Sequence, residues 1–302
     1  MAGAPGGVYG ECMSPRLLVT LIVGAALSAG CGQAAVKSSS PAKPKPSHSQ
    51  GLIAESASAT ADAGTARAAY TMTITGLAGA SGGVTARGTG AIDFATRSTE
   101  LRLHMTVPQA GVTVDMSERM IGTTIYMHSP LLSGATGKPW IKLDLQKFGK
   151  AEGLDMSAAM SSGGSDPTQM LEFLNAASDS IDRVGMDTVR GTQTTHYHVV
   201  VDLLKIANAV PAGKQAAVRR TFKREVALIG THTMPIDVWI DSHGLVRREH
   251  VDISMRPPTA SVTVGMEMTI DFFDFGAPVH VVPPPARQVA DFADLAPPSP
   301  SA

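Results

Sequence analysis

Apolar and polar residues alternate with a period of two over much of this chain. Leu101, Leu103, Met105 and Val107 alternate with Arg102, His104 and Thr106, and Val112, Val114 and Met116 with Thr113 and Asp115. Residues 121–127 carry a similar pattern. Further on, Val262, Val264, Met266, Met268, Ile270 and Phe272 form one face against Thr263, Gly265, Glu267, Thr269 and Asp271. Successive strand side chains point to opposite faces, so each segment predicts an antiparallel strand with one apolar and one wet face. Gly and Pro between the segments predict hairpins. The clearest spans 234–255: Ile236, Val238 and Ile240 alternate, Asp241-Ser242-His243-Gly244 turns, and the return runs through Val251 and Ile253. Gly244 supplies the positive φ that a short hairpin loop needs.

Helical spacing interrupts the strands. Pro167 suits a first helical turn, followed by Met170, Leu171, Leu174 and Ala177. Residues 200–209 are expected to pass from strand into a short helix. Residues 216–228 predict an amphipathic helix through Val218, Phe222 and Val226, with Arg219, Arg220, Lys223 and Arg224 on its polar side. That cationic side could touch lipid phosphates or simply face solvent. The expected fold class is α+β, mostly β: a single large curved antiparallel sheet, a half-barrel, with two or three helices over its concave face.

The ends read differently. Leu17 to Leu27 is an apolar run of signal-peptide length, shorter than the roughly 20 apolar residues of a transmembrane helix. It closes in Leu27-Ser28-Ala29-Gly30-Cys31, which resembles a bacterial lipobox and makes Cys31 the expected site of a diacylglyceryl group. The large aliphatic residue lies four places before the cysteine rather than three, so an ordinary cleavage near Ala29 is the competing reading. Met13-Ser14-Pro15-Arg16 is a more usual signal-peptide start than the acidic stretch before it. Residues 32–64, rich in Ala, Ser, Pro and Lys, read as a disordered tether reaching roughly 30 Å. The expected organisation is therefore a signal peptide over 1–30, lipidated Cys31 and tether over 31–64, a folded domain over 65–285, and a flexible tail over 286–302. This places the protein on the outer face of the cell membrane, lipid-anchored.

Composition narrows the partners. The chain has 302 residues, a formal charge of −1, and only two cysteines, Cys12 and Cys31. No disulfide can then brace an exported mature chain, so its core must hold it. Without a basic stripe or aromatic platform, nucleic acid is excluded as a partner. His196 and His198 share a strand face, but no neighbouring ligands complete a metal site. The run Ser161-Ser162-Gly163-Gly164-Ser165 is a loop and not a nucleophile elbow, and no catalytic set is expected. Fifteen methionines, several on the predicted apolar strand faces, suit a surface that repacks around variable apolar partners. The candidate lining residues are Leu101, Leu103, Met105, Val114, Met116, Val264, Met266 and Met268. The competing reading makes them an ordinary filled core.

An order of segments carries a resemblance. It runs through Gly122-Thr123-Thr124-Ile125-Tyr126-Met127, Lys138-Pro139-Trp140-Ile141-Lys142-Leu143, and the stretch from Val184 to Tyr197. It continues through Pro235-Ile236-Asp237-Val238-Trp239-Ile240-Asp241 and closes with Asp274-Phe275-Gly276-Ala277-Pro278-Val279. In this order the chain resembles the actinobacterial LppX/LprAFG lipoproteins within the LolA-like fold of lipid and lipoprotein carriers. The resemblance implies a half-barrel over an apolar cavity for acyl chains, no enzymatic activity, and no cofactor beyond the acyl group on Cys31. It implies a monomer that binds a membrane lipid or acylated ligand at the membrane surface and carries it through the envelope with a transport partner. Residues 153–164 are a candidate flap. The alternative is a structural or signalling lipoprotein with a filled core that binds a protein.

Overall fold

The computed structural model describes residues 48–76, 83–108, 111–151, 178–202, 204–205, 230–255 and 263–292, with isolated positions between 216 and 227. Cys31, the signal peptide, the Pro167 helix and the 153–164 segment lie outside the described residues. In chain order the elements are α1 (His48–Asp62), β1 (Thr65–Thr75), β2 (Val84–Asp93), β3 (Ser98–Val107), β4 (Val112–Ile121), β5 (Thr124–His128), α2 (Pro130–Thr136), β6 (Trp140–Asp144), α3 (Leu145–Ala151), β7 (Ser178–Val189), β8 (Thr192–Asp202), β9 (Thr233–Asp241), β10 (Val246–Met255), β11 (Val264–Phe273), a 3-10 turn (Ala286–Gln288) and β12 (Val289–Asp291).

All twelve strands form one sheet in the order β12-β6-β5-β4-β3-β2-β1-β11-β10-β9-β8-β7. It is open, with β12 and β7 at its edges. Sequential antiparallel pairing runs from β1 to β6 and from β7 to β11 as two meanders, and the β1–β11 pair unites them. The sheet is mixed and not purely antiparallel, because β12 runs parallel to β6. Of the helices among the described residues only α1 is longer than two turns. Ala216, Arg219, Arg220, Lys223, Val226 and Ala227 are helical, with Arg219, Arg220 and Lys223 exposed, as the 216–228 pattern predicts.

Residues 121–127 are not one strand: the chain reverses at Gly122-Thr123 between β4 and β5. The 234–255 hairpin forms as expected, and its turn is held by Asp241. That carboxylate accepts from the backbone N–H of His243 and Leu245 at 2.8 and 3.0 Å and from Arg247 Nε at 2.6 Å, while Gly244 takes φ 78°.

Two expectations for the ends are corrected. The composition predicts a tether as far as residue 64, yet residues 48–62 form α1, and Ile53 lies buried among Tyr197, Val199, Val238, Ile240 and Val246. Its small polar residues can enter the core because each hydroxyl finds an acceptor one turn back: Ser56 Oγ donates to Leu52 O at 2.9 Å and Thr60 Oγ1 to Ser56 O at 2.7 Å. Thr60 Oγ1 also accepts from the Val246 backbone N–H, tying helix to sheet. The tail was drawn from residue 286, yet β12 extends the sheet and Phe292 packs edge-on against Phe148. A three-residue edge strand carries too little periodicity to be read from sequence.

Candidate functional site

Strand register assembles one continuous apolar face. Reading across paired residues, Ile181, Val199, Ile236, Val251, Met268, Met72, Ala86, Met105 and Val114 form a row spanning nine strands from β7 to β4. The next row runs Tyr197, Val238, Glu249, Ile270, Tyr70, Gly88, Leu103 and Met116. A third runs Phe272, Ala68, Gly90, Leu101, Glu118, Met127 and Ile141. A one-residue slip would send every one of these side chains to the other face, so burial of this face holds the register.

All eight candidate lining residues fall on this face. Leu101, Leu103 and Met116 are buried and touch one another, with Tyr70 and Met105 packed against them. Met105, Val114, Val264, Met266 and Met268 are half-buried. The ends of the face are covered differently. Leu52 and Ile53 of α1 pack over β8, β9 and β10, while Leu132, Leu145 and Phe148 join Met120, Ile125, Met127 and Leu143 over β4 to β6. Between these two covers lies the methionine-rich stretch of β11, β1, β3 and β4. A separate cleft of about 410 Å³ opens where Leu52, Glu55, Ser56 and Ala59 of α1 meet Tyr197, Ile240 and the Asp241–Gly244 turn.

The opposite face is wet and charged. Arg248 grips Asp271 through two nitrogens at 2.5 and 2.9 Å, and its guanidinium lies 5.7 Å from the Trp239 ring. His196 stacks on Trp239 at 4.2 Å, and Trp239 Nε1 donates to Asp187 at 3.0 Å. His196 and His198 do share a face, but both rings meet one carboxylate oxygen of Asp237, at 2.7 and 3.0 Å. Burial works against the charged Asp237, yet these two hydrogen bonds outweigh it and hold the carboxyl below its ordinary range. Among the described residues no group of three or more His, Cys, Asp or Glu side chains could hold a metal ion.

Polar groups inside the apolar face were missed from sequence. Glu118 is 7% exposed, and burial pushes its carboxyl up to about 7. Glu249 is only partly buried as a residue, but its carboxyl is enclosed and likewise pushed up to about 7. Burial raises the Tyr70 phenol, and the nearby Glu249 and Glu118 raise it further. Thr99 Oγ1 is buried without a hydrogen-bond partner. A signal did exist: Glu118 is in phase with Val114, Met116 and Met120, and Glu249 with Val251 and Ile253, so the period of two points both carboxyls inward.

No family model matches the chain. Over 172 residues it is 29% identical to an uncharacterized 31.2 kDa protein of Streptomyces griseus encoded between rplA and rplJ, a match covering 56% of this chain and 53% of that protein. Over 206 residues it is 27% identical to a Streptomyces coelicolor protein provisionally named a lipoprotein, covering 63% and 60%. The chain thus spans little more than half the length of these curated relatives. In structure it is similar to the lipoprotein LppX of Mycobacterium tuberculosis, with TM-score 0.42 and 14% identity over 76% of this chain and 98% of that one. It is similar to LprF of Mycobacterium bovis, with TM-score 0.40 and 15% identity over 80% and 99%. It is also similar to a LolA superfamily protein of Nitrosomonas europaea, with TM-score 0.26 and 8% identity over 75% and 91%.

Proposed function

We propose that this chain is a membrane-anchored lipoprotein that takes a lipid or acylated molecule onto its apolar sheet face and carries it through the cell envelope. The observation that carries this reading is the in-register row Val251-Met268-Met72-Ala86-Met105-Val114, apolar across six strands and half-buried at every methionine. Each methylene of an acyl chain that leaves water for such a surface gains about 0.8 kcal/mol. The transfer from a bilayer is then nearly balanced, which suits pickup and release. Methionine thioethers adapt to chains of different shape. Cys31, after its apolar run, would keep the face near the bilayer that supplies its ligand, in line with the lipoprotein name of the Streptomyces coelicolor relative.

A tryptophan at Met266 discriminates between an open face and a filled core. In the purified chain, native mass spectrometry after incubation with phospholipid vesicles is expected to show bound lipid. Met266→Trp should remove that mass while leaving the circular dichroism and thermal transition in place. If the wild type retains no lipid and Met266→Trp instead costs about 1–3 kcal/mol by overpacking, the face is core and the carrier reading fails. The anchor has its own check. Expression with a clickable fatty acid should label the protein, and Cys31→Ser should abolish the label. Equal labelling of the variant would remove Cys31 from the account.

A further inference from the structure

We propose that Glu118, Tyr70 and the Thr99 hydroxyl, with Glu249 beyond Tyr70 on β10, form a polar recognition patch within the apolar face that accepts a hydrogen-bond-donating group of the ligand, a hydroxyl or an amine, and rejects an anionic one. The inference rests on the ligand-binding reading of that face and names the headgroup chemistry it admits.

Tyr70 lies between the two carboxyls, with Glu249 two strands away on β10 and Glu118 three strands away on β4. Glu249 stands opposite Ile270, which stands opposite Tyr70, on adjoining strands β10, β11 and β1. Glu118 on β4 stands opposite Leu101, and Thr99 is the next inward position on β3. Two glycines on β2, Gly88 and Gly90, let neighbouring groups close in on that strand. An added Cβ at Gly90 would lie 2.9 Å from Tyr70 Cε2 and 3.5 Å from its hydroxyl oxygen, so the ring leans over that glycine toward β3 and β4. Tyr70 therefore bridges from the Glu249 side to the Glu118 side.

None of these side-chain oxygens has a partner within the described residues. Glu118, Glu249 and Tyr70 make no hydrogen bond or ion pair there, and Thr99 Oγ1 is orphaned in the interior. Thr99 Oγ1, buried without a partner, carries an unmet hydrogen bond that a donor on the ligand would satisfy. The sign of the charge decides which ligand. On β1–β4 and β11, no Lys, Arg or His of the described residues shares this face: Arg67, Arg87, Arg102, His104 and Arg119 all point to the other. An anionic group there would meet the Glu118 carboxyl and the Tyr70 phenol with no cation of these strands to offset them. The elevated carboxyls agree with this setting, since burial in the apolar face disfavours the charged form of each.

The test uses three twelve-carbon probes that differ only at the head: dodecanol, dodecylamine and dodecanoate. Each competes with N-phenylnaphthylamine fluorescence on the purified full chain at pH 8, below its micelle concentration. The alcohol and the amine should displace the dye at concentrations at least about tenfold lower than the carboxylate, a difference of about 1.4 kcal/mol. Glu118→Gln should narrow that gap several-fold, with Tyr70→Phe as a second variant, each gap being referred to that variant's own dye affinity. Glu100→Gln, on the wet face, should leave the gap as it is. Equal displacement by all three probes, or a gap indifferent to Glu118→Gln and Tyr70→Phe, overturns the headgroup inference alone. If neither the dye nor any probe binds, the ligand-binding reading falls and this inference falls with it.

Discussion

Gly88→Ala is expected to destabilise the protein by on the order of 3 kcal/mol, although the same change in an open position stabilises most chains. A Cβ at Gly88 would lie 1.9 Å from the carbonyl oxygen of Arg102 and 2.8 Å from Leu103 Cδ2. The first contact is with backbone, so β3 itself must shift, and with it the Leu101–Leu103–Met116 cluster. Overpacking of this kind typically costs about 1–3 kcal/mol and sometimes more. Restricting the unfolded chain returns only about 0.4–1 kcal/mol, so the clash wins. Gly134, in α2 with nothing within 4 Å of an added Cβ, should show the opposite sign. Urea unfolding of both variants at constant m-value decides the point. A neutral Gly88→Ala would mean that β2 and β3 do not approach this closely.

The second large effect is a loss of stability as pH rises from about 4.5 to about 7, relieved by Glu118→Gln. The Glu118 carboxyl is held near 7 in the fold against an ordinary 4.5. Below about pH 4.5 both the folded and the unfolded chain keep this proton, and the side chain favours neither. Between about 4.5 and 7 the unfolded chain releases it while the folded chain still holds it, so stability falls. Above about 7 the fall levels off. A displacement of this size corresponds to about 3 kcal/mol over the whole interval. Glu249 acts in the same direction, and Tyr70 faces both. The inward positions of the neighbouring strands are otherwise uncharged: Thr99, Leu101 and Leu103 on β3, and Ile125 and Met127 on β5. Glu118→Gln should match the wild type near pH 4 and exceed it by about 2–3 kcal/mol at pH 8. Parallel pH profiles for the two proteins would show that Glu118 is hydrated in the folded state.

The strands were legible where their periodicity was long. In β3, β11 and long stretches of β4 and the β9–β10 hairpin, polar and apolar residues alternate, and burial of one face enforces that pattern. All eight candidate lining residues followed from it, since facing is a local property of a strand. Segment 48–62 was illegible for the opposite reason. Its Ser and Thr look like linker residues, and only helical back-bonding to Leu52 and Ser56 makes them compatible with burial. Glu118 and Glu249 were passed over because a carboxylate in an apolar series reads as an interruption of the pattern. The spacing in fact keeps both in phase with it.

The alternation by itself determined that this chain builds a mostly β sheet with one apolar and one polar face. It also assigned the residues of each face, because a strand's period of two is set by its own backbone. Pairing order, register and cover were decided only by the tertiary structure. The union of two meanders through β1 and β11, the parallel docking of β12 and the seating of α1 all join residues far apart in the chain. So does the meeting of Tyr70 with Glu118 and Glu249. Such encounters depend on side-chain volume, hydrogen-bond satisfaction and desolvation across strands, none of which is encoded within a single strand's alternation.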